Sequence, residues 1–236
     1  MNRLLLISLA LIASIGISAS GYFIGDGLRN IKKTDRYVNV RGSAEREVLA
    51  DKAVIDIYTS KSGNDQTVIF NGLKAIEKDV LAYLAENGLQ ADEIEQGQWS
   101  TSQPTADEKK NDPTRALFTT TGRLHVVTRN MDAAQKAYRG VNDLMEKTTG
   151  GVTGAFVNYQ YTSIVGIRGE MIAAATKDAR NAALQFAADS GNKVGSIRNA
   201  SQGLFQITAP GSDSDDGASM RKNVRVVTTV DYELRD

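Results

Sequence analysis

The chain contains stretches in which apolar side chains recur at every second position, and these predict β-strands. The pattern occurs in residues 37–41 and again in residues 53–58, with Gly42 as a bend and a short extended piece at 48–50 between them. The second stretch places Ala53, Ile55 and Ile57 on one face, and Val54, Asp56 and Tyr58 on the other. The two stretches therefore predict a pair of antiparallel strands joined through the charged residues 45–47.

Three other stretches have helical spacing. The first begins with Asn64 as the predicted N-cap and Asp65 in the first turn, and it ends at Asn87-Gly88. Its apolar stripe is Ile69, Leu73, Ile76, Val80 and Leu84. The second helix is predicted from Asn130 to about Lys147, and the third from about Ile167 to Ser190. The stripe predicted for the third helix is Ile172, Ala175, Ala179, Ala182 and Phe186.

The remaining apolar runs predict further strands, separated by two polar loops at 104–115 and 210–223. These strands cover residues 93–103, 116–128, 155–162, 197–209 and 224–234. The element order is then ββαββ followed by αβαββ. This order predicts an α+β fold with antiparallel sheet and the helices packed on one side of it.

The N-terminus carries a long uncharged run. Residues Leu4 to Ile24 contain no charged side chain, and at 1.5 Å per residue they span about 31 Å, which matches the apolar core of a bilayer. The small residues Ser18 and Ser20 also fit a signal-peptidase site, so a membrane anchor and a cleaved export signal both remain open. We favour the anchor, because the apolar run continues past that site through Tyr22 and Phe23.

The pattern thus divides the chain into an anchor or signal peptide (1–25), a linker (26–36) and a folded body (37–236). The basic residues Arg29, Lys32, Lys33 and Arg36 follow the apolar run and oppose export of the body. We nevertheless expect a body in the periplasm, anchored to the inner membrane, because short N-termini before exported domains are common. The alternative is a soluble periplasmic protein after signal cleavage.

Composition narrows the chemistry. The 28 basic and 28 acidic residues balance, which argues against nucleic acid as a partner. The chain has no cysteine and a single histidine, so it offers no disulfide, no thiol nucleophile and a poor ligand set for a transition metal. We therefore predict no cofactor.

Two features are candidates for chemistry. His125 lies in a strand with its side chain on the face of Val127, and it is the only side chain that could act as a histidine base. No nucleophile motif accompanies it, so a surface or partner contact is favoured. Asp213, Asp215, Asp216 and Gly217 resemble part of a calcium loop, but the ligand spacing is wrong and a solvated loop is favoured.

Other polar and aromatic residues are interpreted as structural. Asp51 is predicted to accept hydrogen bonds in a turn or cap. Asp178 and Arg180 lie two positions apart in the third helix and face different directions, and Arg180 is expected to pair with a strand. Tyr159 and Tyr161, which share a strand face with Val157, and Trp99 in another strand are expected in the core, or in a partner surface if exposed together. No catalytic, cofactor-binding or metal-binding residue is predicted.

Two runs of residues resemble the SIMPL-domain family, a domain of unknown function. The first is Val38-x-Val40-x-Gly42-x-Ala44-Glu45 followed by Val48-x-Ala50-Asp51-x-Ala53, although members usually have Gly in place of Ala44 and Pro in place of Ala50. The second is Ala174-x-x-x-Asp178-Ala179-Arg180-x-x-Ala183-x-x-x-Ala187 followed by Gly191-x-x-Val194-Gly195-x-Ile197. The closing strand Val224-x-Val226-x-x-x-Val230 also fits, so the resemblance covers about residues 37–235.

The resemblance implies a bacterial, exported or membrane-associated protein without an established enzyme activity. It also implies ring-forming oligomers and a link to oxidative-stress tolerance, and it supplies no catalytic residues. We therefore expect a non-enzymatic, membrane-anchored periplasmic protein that acts by self-assembly or protein contacts. Two alternatives are kept: a small-ligand binding module with a cleft between the sheet and the third helix, and a hydrolase that uses His125.

Overall fold

The computed structural model describes residue 14 and residues 16–25 and 36–235. The first helix, α1, covers residues 16–25. The other helices are α2 (Gln66–Glu86), α3 (Ala106–Asn111), α4 (Met131–Arg139), α5 (Val141–Lys147) and α6 (Ile164–Asp189), with a 3₁₀ turn at Ala91–Glu93. The strands are β1 (Tyr37–Leu49), β2 (Lys52–Gly63), β3 (Ile94–Gln96), β4 (Ser100–Ser102), β5 (Phe118–Thr128), β6 (Val152–Gln160), β7 (Lys193–Gln202), β8 (Gln206–Thr208) and β9 (Arg221–Arg235).

The strands form two antiparallel sheets, which confirms the α+β prediction. The five-stranded sheet has the order β3-β5-β2-β6, with β4 also pairing with β5. The four-stranded sheet has the order β1-β9-β7, with β8 also pairing with β9. The chain divides into a first unit, residues 1–44, 169–205 and 226–236, and a second unit, residues 45–168 and 206–225.

The core of the second unit lies between one face of the five-stranded sheet and α2, α4 and α5. The strand β2 contributes Ala53, Ile55 and Ile57, as its alternation predicts. The whole predicted stripe of α2 is buried, which confirms this helix. Its N-cap is Asp65 and not Asn64, because Asp65 Oδ1 accepts hydrogen bonds from the backbone of Thr67 and Val68. Asn64 Oδ1 instead accepts from the backbone N–H of Leu117.

In the first unit, α6 packs on the four-stranded sheet. Ala179 and Ala183 contact a cluster with Val38, Val40, Val230 and Tyr232. The buried stripe of α6 differs from the prediction: Ile172 is half-buried, Ala182 and Phe186 are exposed, and every fourth residue is buried, namely Met171, Ala175, Ala179, Ala183 and Ala187.

Several helices and strands have different boundaries from the predicted ones. The predicted strand 93–103 is two strands, and so is 197–209. Gly140 divides the predicted second helix into α4 and α5, although Asn130 is its N-cap as predicted. The predicted loop 104–115 contains α3, and β1 continues through Gly42 and residues 45–47 without a break. The predicted pairing of the first two strands is wrong, because β1 pairs with β9 and β2 pairs with β5 and β6.

Most of the predicted membrane segment, 4–24, lies outside the described residues, and so does the linker 26–36 apart from Arg36. The part that is described, α1, is helical. None of the helices in the described ranges has the length and apolar character needed to span a bilayer.

Candidate functional site

One face of the five-stranded sheet points away from the core of the second unit, and we call it the outer face. Alternation along β2 and β5 puts every residue next to a core position on this side. Cross-strand pairing then aligns Asp56 with His125 and with Phe156, Tyr58 with Arg123, and Glu95 with His125. The outer face includes Val54, Asp56, Tyr58, Glu95, Arg123, His125, Val127 and Phe156.

The only histidine of the chain forms a hydrogen bond on this face. His125 Nδ1 donates to Asp56 Oδ1 over 2.7 Å, and the guanidinium of Arg123 lies 3.7 Å from the same oxygen. A carboxylate that orients an imidazole is two-thirds of a hydrolytic triad, but the third member is a hydroxyl or thiol on the other ring nitrogen. In residues 36–235, the bond to Asp56 is the one hydrogen bond of this ring.

The outer face also carries an aromatic pair. Tyr58 and Phe156 meet edge to face, with ring centroids 6.0 Å apart at 83°. Phe156 is 69% exposed and Tyr58 is 37% exposed, so most of the pair faces solvent. An exposed aromatic pair among charges of both signs is typical of a protein contact surface.

Asp51 is a structural hydrogen-bond acceptor, as the sequence predicts. Its Oδ1 accepts from the N–H and the hydroxyl of Thr162, and its Oδ2 accepts from the N–H of Ser163, at 2.7–2.9 Å. Partial burial works to raise the pKa of Asp51, but the hydrogen bonds from Ser163 and Thr162 together hold it below the usual value. The ionised carboxylate thus holds the residues that precede α6 in place.

The acidic loop binds an internal cation. Lys222 stands at a core position of β9 and is fully buried, and its Nζ lies 2.5 Å from Asp215 Oδ1. Asp215 and Asp216 also accept backbone N–H groups within the loop. Asp213 instead borders an open polar cleft of about 520 Å³ beside the Arg225–Glu45 ion pair. The acidic residues are therefore not gathered around one point, and nowhere in the described ranges do three acidic or histidine side chains form a metal-binding group.

Asp178 and Arg180 are separated, as their spacing predicts. Asp178 Oδ2 accepts the backbone N–H of Ser43 over 2.9 Å, which ties α6 to β1. Arg180 differs from the expectation: no ion-pair or hydrogen-bond partner exists for it in the described part of the chain. It lies instead at a cleft with Lys177, a residue that sequence reasoning did not single out.

The aromatic residues divide between core and surface. Tyr159 is buried in the core of the second unit, with Val157 packed against it. Tyr161 lies beyond the end of β6 and donates to the carbonyl of Ser163. Trp99 is in the irregular segment between β3 and β4, where its Nε1 donates to Glu77 Oε1 over 2.6 Å.

Glu77 is a buried acid that sequence reasoning missed. Its side chain lies on the core face of α2, and nearby Thr59 Oγ1 is buried without a hydrogen-bond partner. Burial raises the pKa of Glu77, and the hydrogen bond from Trp99 only partly offsets this. The signal was present, because Glu77 stands four residues after Leu73 and three before Val80.

Comparison with known proteins gives one family. The SIMPL family model, described as a protein of unknown function (DUF541), matches residues 38–232. None of the curated proteins matches the chain.

Similar solved structures include three from Listeria innocua. An uncharacterized conserved protein is 12% identical with a TM-score of 0.19, and a hydrolase is 13% identical with a TM-score of 0.20. A second hydrolase is 12% identical with a TM-score of 0.18. Each match covers 77% of this chain and 90% of the other. TM-scores of this size carry no argument about fold or activity, and the word hydrolase describes those proteins alone.

Proposed function

We propose that this chain, which belongs to the SIMPL family, is a non-enzymatic protein that acts by assembling with copies of itself. The body lies outside the cytoplasm and is anchored to the inner membrane by the N-terminal segment. Its role is in the envelope, in tolerance of oxidative stress. The family description leaves function open, so this proposal rests on the chemistry of the chain.

The outer face is the observation that carries the proposal. It exposes the Tyr58–Phe156 pair, the guanidinium of Arg123 across from Tyr58 and, at the β3 edge of the same face, the carboxylate of Glu95. A two-fold interface brings the same patch of two copies together, so the patch must match itself. Apolar residues next to charges of both signs can do so, because the aromatic pair meets its copy while each cation meets an anion. We therefore commit to a second copy of this chain as the occupant.

The anchor is supported by the apolar run and by the exposed side chains of α1. Tyr22 and Phe23 are each 74% exposed and pack edge to face. Aromatic side chains at the end of an apolar segment suit the boundary between lipid and water.

Native mass spectrometry of the full-length protein in detergent tests the assembly. We expect the wild type to be an oligomer and Phe156→Glu to lose it, because two buried carboxylates would face each other across the interface. Phe186→Glu is the matched control, since Phe186 is also exposed, at 60%, but lies on α6. A monomeric wild type, or an oligomer that survives Phe156→Glu, contradicts the proposal.

The alternative function is a hydrolase that uses His125. The 2.7 Å hydrogen bond between His125 and Asp56 supports it, because a carboxylate orients the histidine base of many hydrolases. An ester and peptide substrate screen with the wild type and His125→Ala separates the two. Turnover that is lost in His125→Ala would replace the non-enzymatic proposal with the hydrolase.

A further inference from the structure

The first unit contains a cleft between α6 and the four-stranded sheet. Its volume is about 470 Å³, within the range of small-molecule sites. The helix side presents Lys177 and Arg180, the strand β7 presents Ser196 and Ile197, and Tyr232 of β9 lies between them. A small-ligand binding module, with a cleft between the sheet and this helix, is one of the alternatives kept from the sequence, and the cleft lies at that place.

Two cations on the helix side are unsatisfied. Lys177 and Arg180 are three residues apart, so both head groups project from the same side of α6. Within the part of the chain that the structure describes, neither has an ion-pair or hydrogen-bond partner. The adjacent acid of α6, Asp178, is bonded to the backbone of Ser43.

The sheet side supplies no free carboxylate to neutralise them. Two acids of β9 lie along β7, and both have partners. Asp231 accepts from the side chain of Asn39, and Glu233 accepts from the Ser196 hydroxyl over 2.7 Å and lies 3.5 Å from the Arg235 guanidinium. The hydrogen bond from Ser196 is the main reason that the pKa of Glu233 is lowered, and Arg235 adds to it. Glu233 is thus an ionised partner of Ser196 and Arg235, and the positive charge of the cleft remains.

The same cleft has an apolar wall. The register of β7 against β9 shifts on both sides of Ile197, and such a bulge turns side chains away from the regular alternation. Ile197 is 52% exposed as a result, next to the buried ring of Tyr232. An exposed isoleucine beside two cations without protein partners provides both the apolar contact and the charge that an amphiphilic anion needs.

We propose that this cleft binds a small organic anion, with a carboxylate or phosphate between Lys177 and Arg180 and an apolar body on Ile197 and Tyr232. A guanidinium binds either oxyanion through two parallel hydrogen bonds, and the ammonium of Lys177 adds a second charge. This site is separate from the proposed self-assembly, which uses the outer face of the other unit.

The experiment is titration calorimetry on the full-length protein with matched probes. Two probes are anions with an apolar group, namely 4-phenylbutyrate and phenyl phosphate. The neutral analogue is 4-phenylbutan-1-ol, and the anion without an apolar group is inorganic phosphate. We expect both organic anions to bind with a dissociation constant on the order of 0.1–1 mM, as probes of this size allow. The alcohol and inorganic phosphate should bind at least tenfold more weakly.

Variants assign the binding to the cleft. The double variant Lys177→Gln/Arg180→Gln should weaken both organic anions at least tenfold, and both sites are exposed, so the fold is kept. The control Arg41→Gln/Lys193→Gln removes two exposed cations of the same unit that do not line the cleft. Ile197→Ser should weaken the organic anions without changing inorganic phosphate.

Three results would overturn the proposal. They are equal binding of the alcohol and the anions, unchanged binding in the Lys177→Gln/Arg180→Gln variant, and an equal loss in the control variant. The oligomeric state measured by mass spectrometry does not enter any of these comparisons, so this proposal and the self-assembly can fail independently.

Discussion

At the scale of single residues, Glu77 is an acidic side chain buried against an apolar core. It is 7% exposed on the core face of α2, and its Oε1 accepts from Trp99. Burial raises its pKa, so the folded protein holds this proton more tightly than the unfolded chain does. The stability associated with the protonated acid is complete below the usual Glu pKa of about 4.3 and is lost as the pH rises through the raised value.

We predict that Glu77→Gln stabilises the protein at pH 7. The amide keeps an oxygen for Trp99 and needs no ionisation. We expect the melting temperature to rise by about 2–4 °C, which corresponds to about 1 kcal/mol in a chain of this size. Thermal unfolding at several pH values measures it.

The gain should disappear below about pH 4, where Glu77 is protonated in the folded and unfolded states alike. Glu86→Gln is the control, because Glu86 is an exposed acid of the same helix. A lower melting temperature for Glu77→Gln at pH 7 would mean that the ionised carboxylate stabilises the fold.

At the scale of elements, α6 and β1 approach so closely that their backbones are in contact. A Cβ added to Gly42 would overlap the carbonyl of Ala175 and the backbone nitrogen of Ala179. The alanines of α6 leave no side chain that could move aside, since every fourth residue of this face from 175 to 187 is alanine. Gly42 is therefore needed for this approach, and not for the bend that the sequence suggested.

We predict that Gly42→Ala destabilises the first unit by about 1–3 kcal/mol, the usual range for overpacking, because the backbone of α6 or β1 must shift. Chemical denaturation measures this loss. Gly154→Ala is the control in a strand, since nothing lies within 4 Å of the added methyl group. Equal stability of Gly42→Ala and the wild type would show that α6 does not lie this close to β1.

The sequence predicted where α6 lies but not which face it buries. The predicted stripe mixes steps of three and four residues, which keeps it parallel to the helix axis. The structure uses steps of four only, and such a ridge is inclined to the axis, as in helices that cross their neighbours at an angle. Small alanines on that ridge outweigh the larger Phe186, and hydrophobicity alone could not indicate this.

The segment around Trp99 was unpredictable for a related reason. Gln96 pairs with Leu124 and Ser100 pairs with Thr121, so three residues of one strand face two of the other. The extra residue is a bulge, and Trp99 lies in this segment with its Nε1 on Glu77. Bulges and cross-strand partners depend on register, which is also why the sequence placed His125 on its face but could not pair it with Asp56.

At the scale of the whole molecule, the folded body and the N-terminal segment are considered separately. The body is a member of the SIMPL family over residues 38–232, and its two units both contain antiparallel sheet. The proposed anchoring depends on the N-terminal run. Its 21 uncharged residues are compatible with an anchor and with a cleaved signal.

We predict that full-length protein purified from membranes retains residues 1–20, because the apolar run continues beyond the candidate cleavage site. Intact-mass spectrometry reads this directly. A mass that lacks about the first 20 residues would identify a free exported protein, and the assembly would then have to be sought in solution.

The pairing of β1 with β9 has a consequence for how the protein is made. Asn39 donates to Asp231 across 192 positions of sequence, and the N–H of Leu234 donates to the carbonyl of Arg36. The first unit therefore closes only after β9 has been synthesised. Closing such a long loop is slow compared with local helix formation. The strands of the five-stranded sheet all lie within residues 52–160, so this sheet can form before the first unit closes.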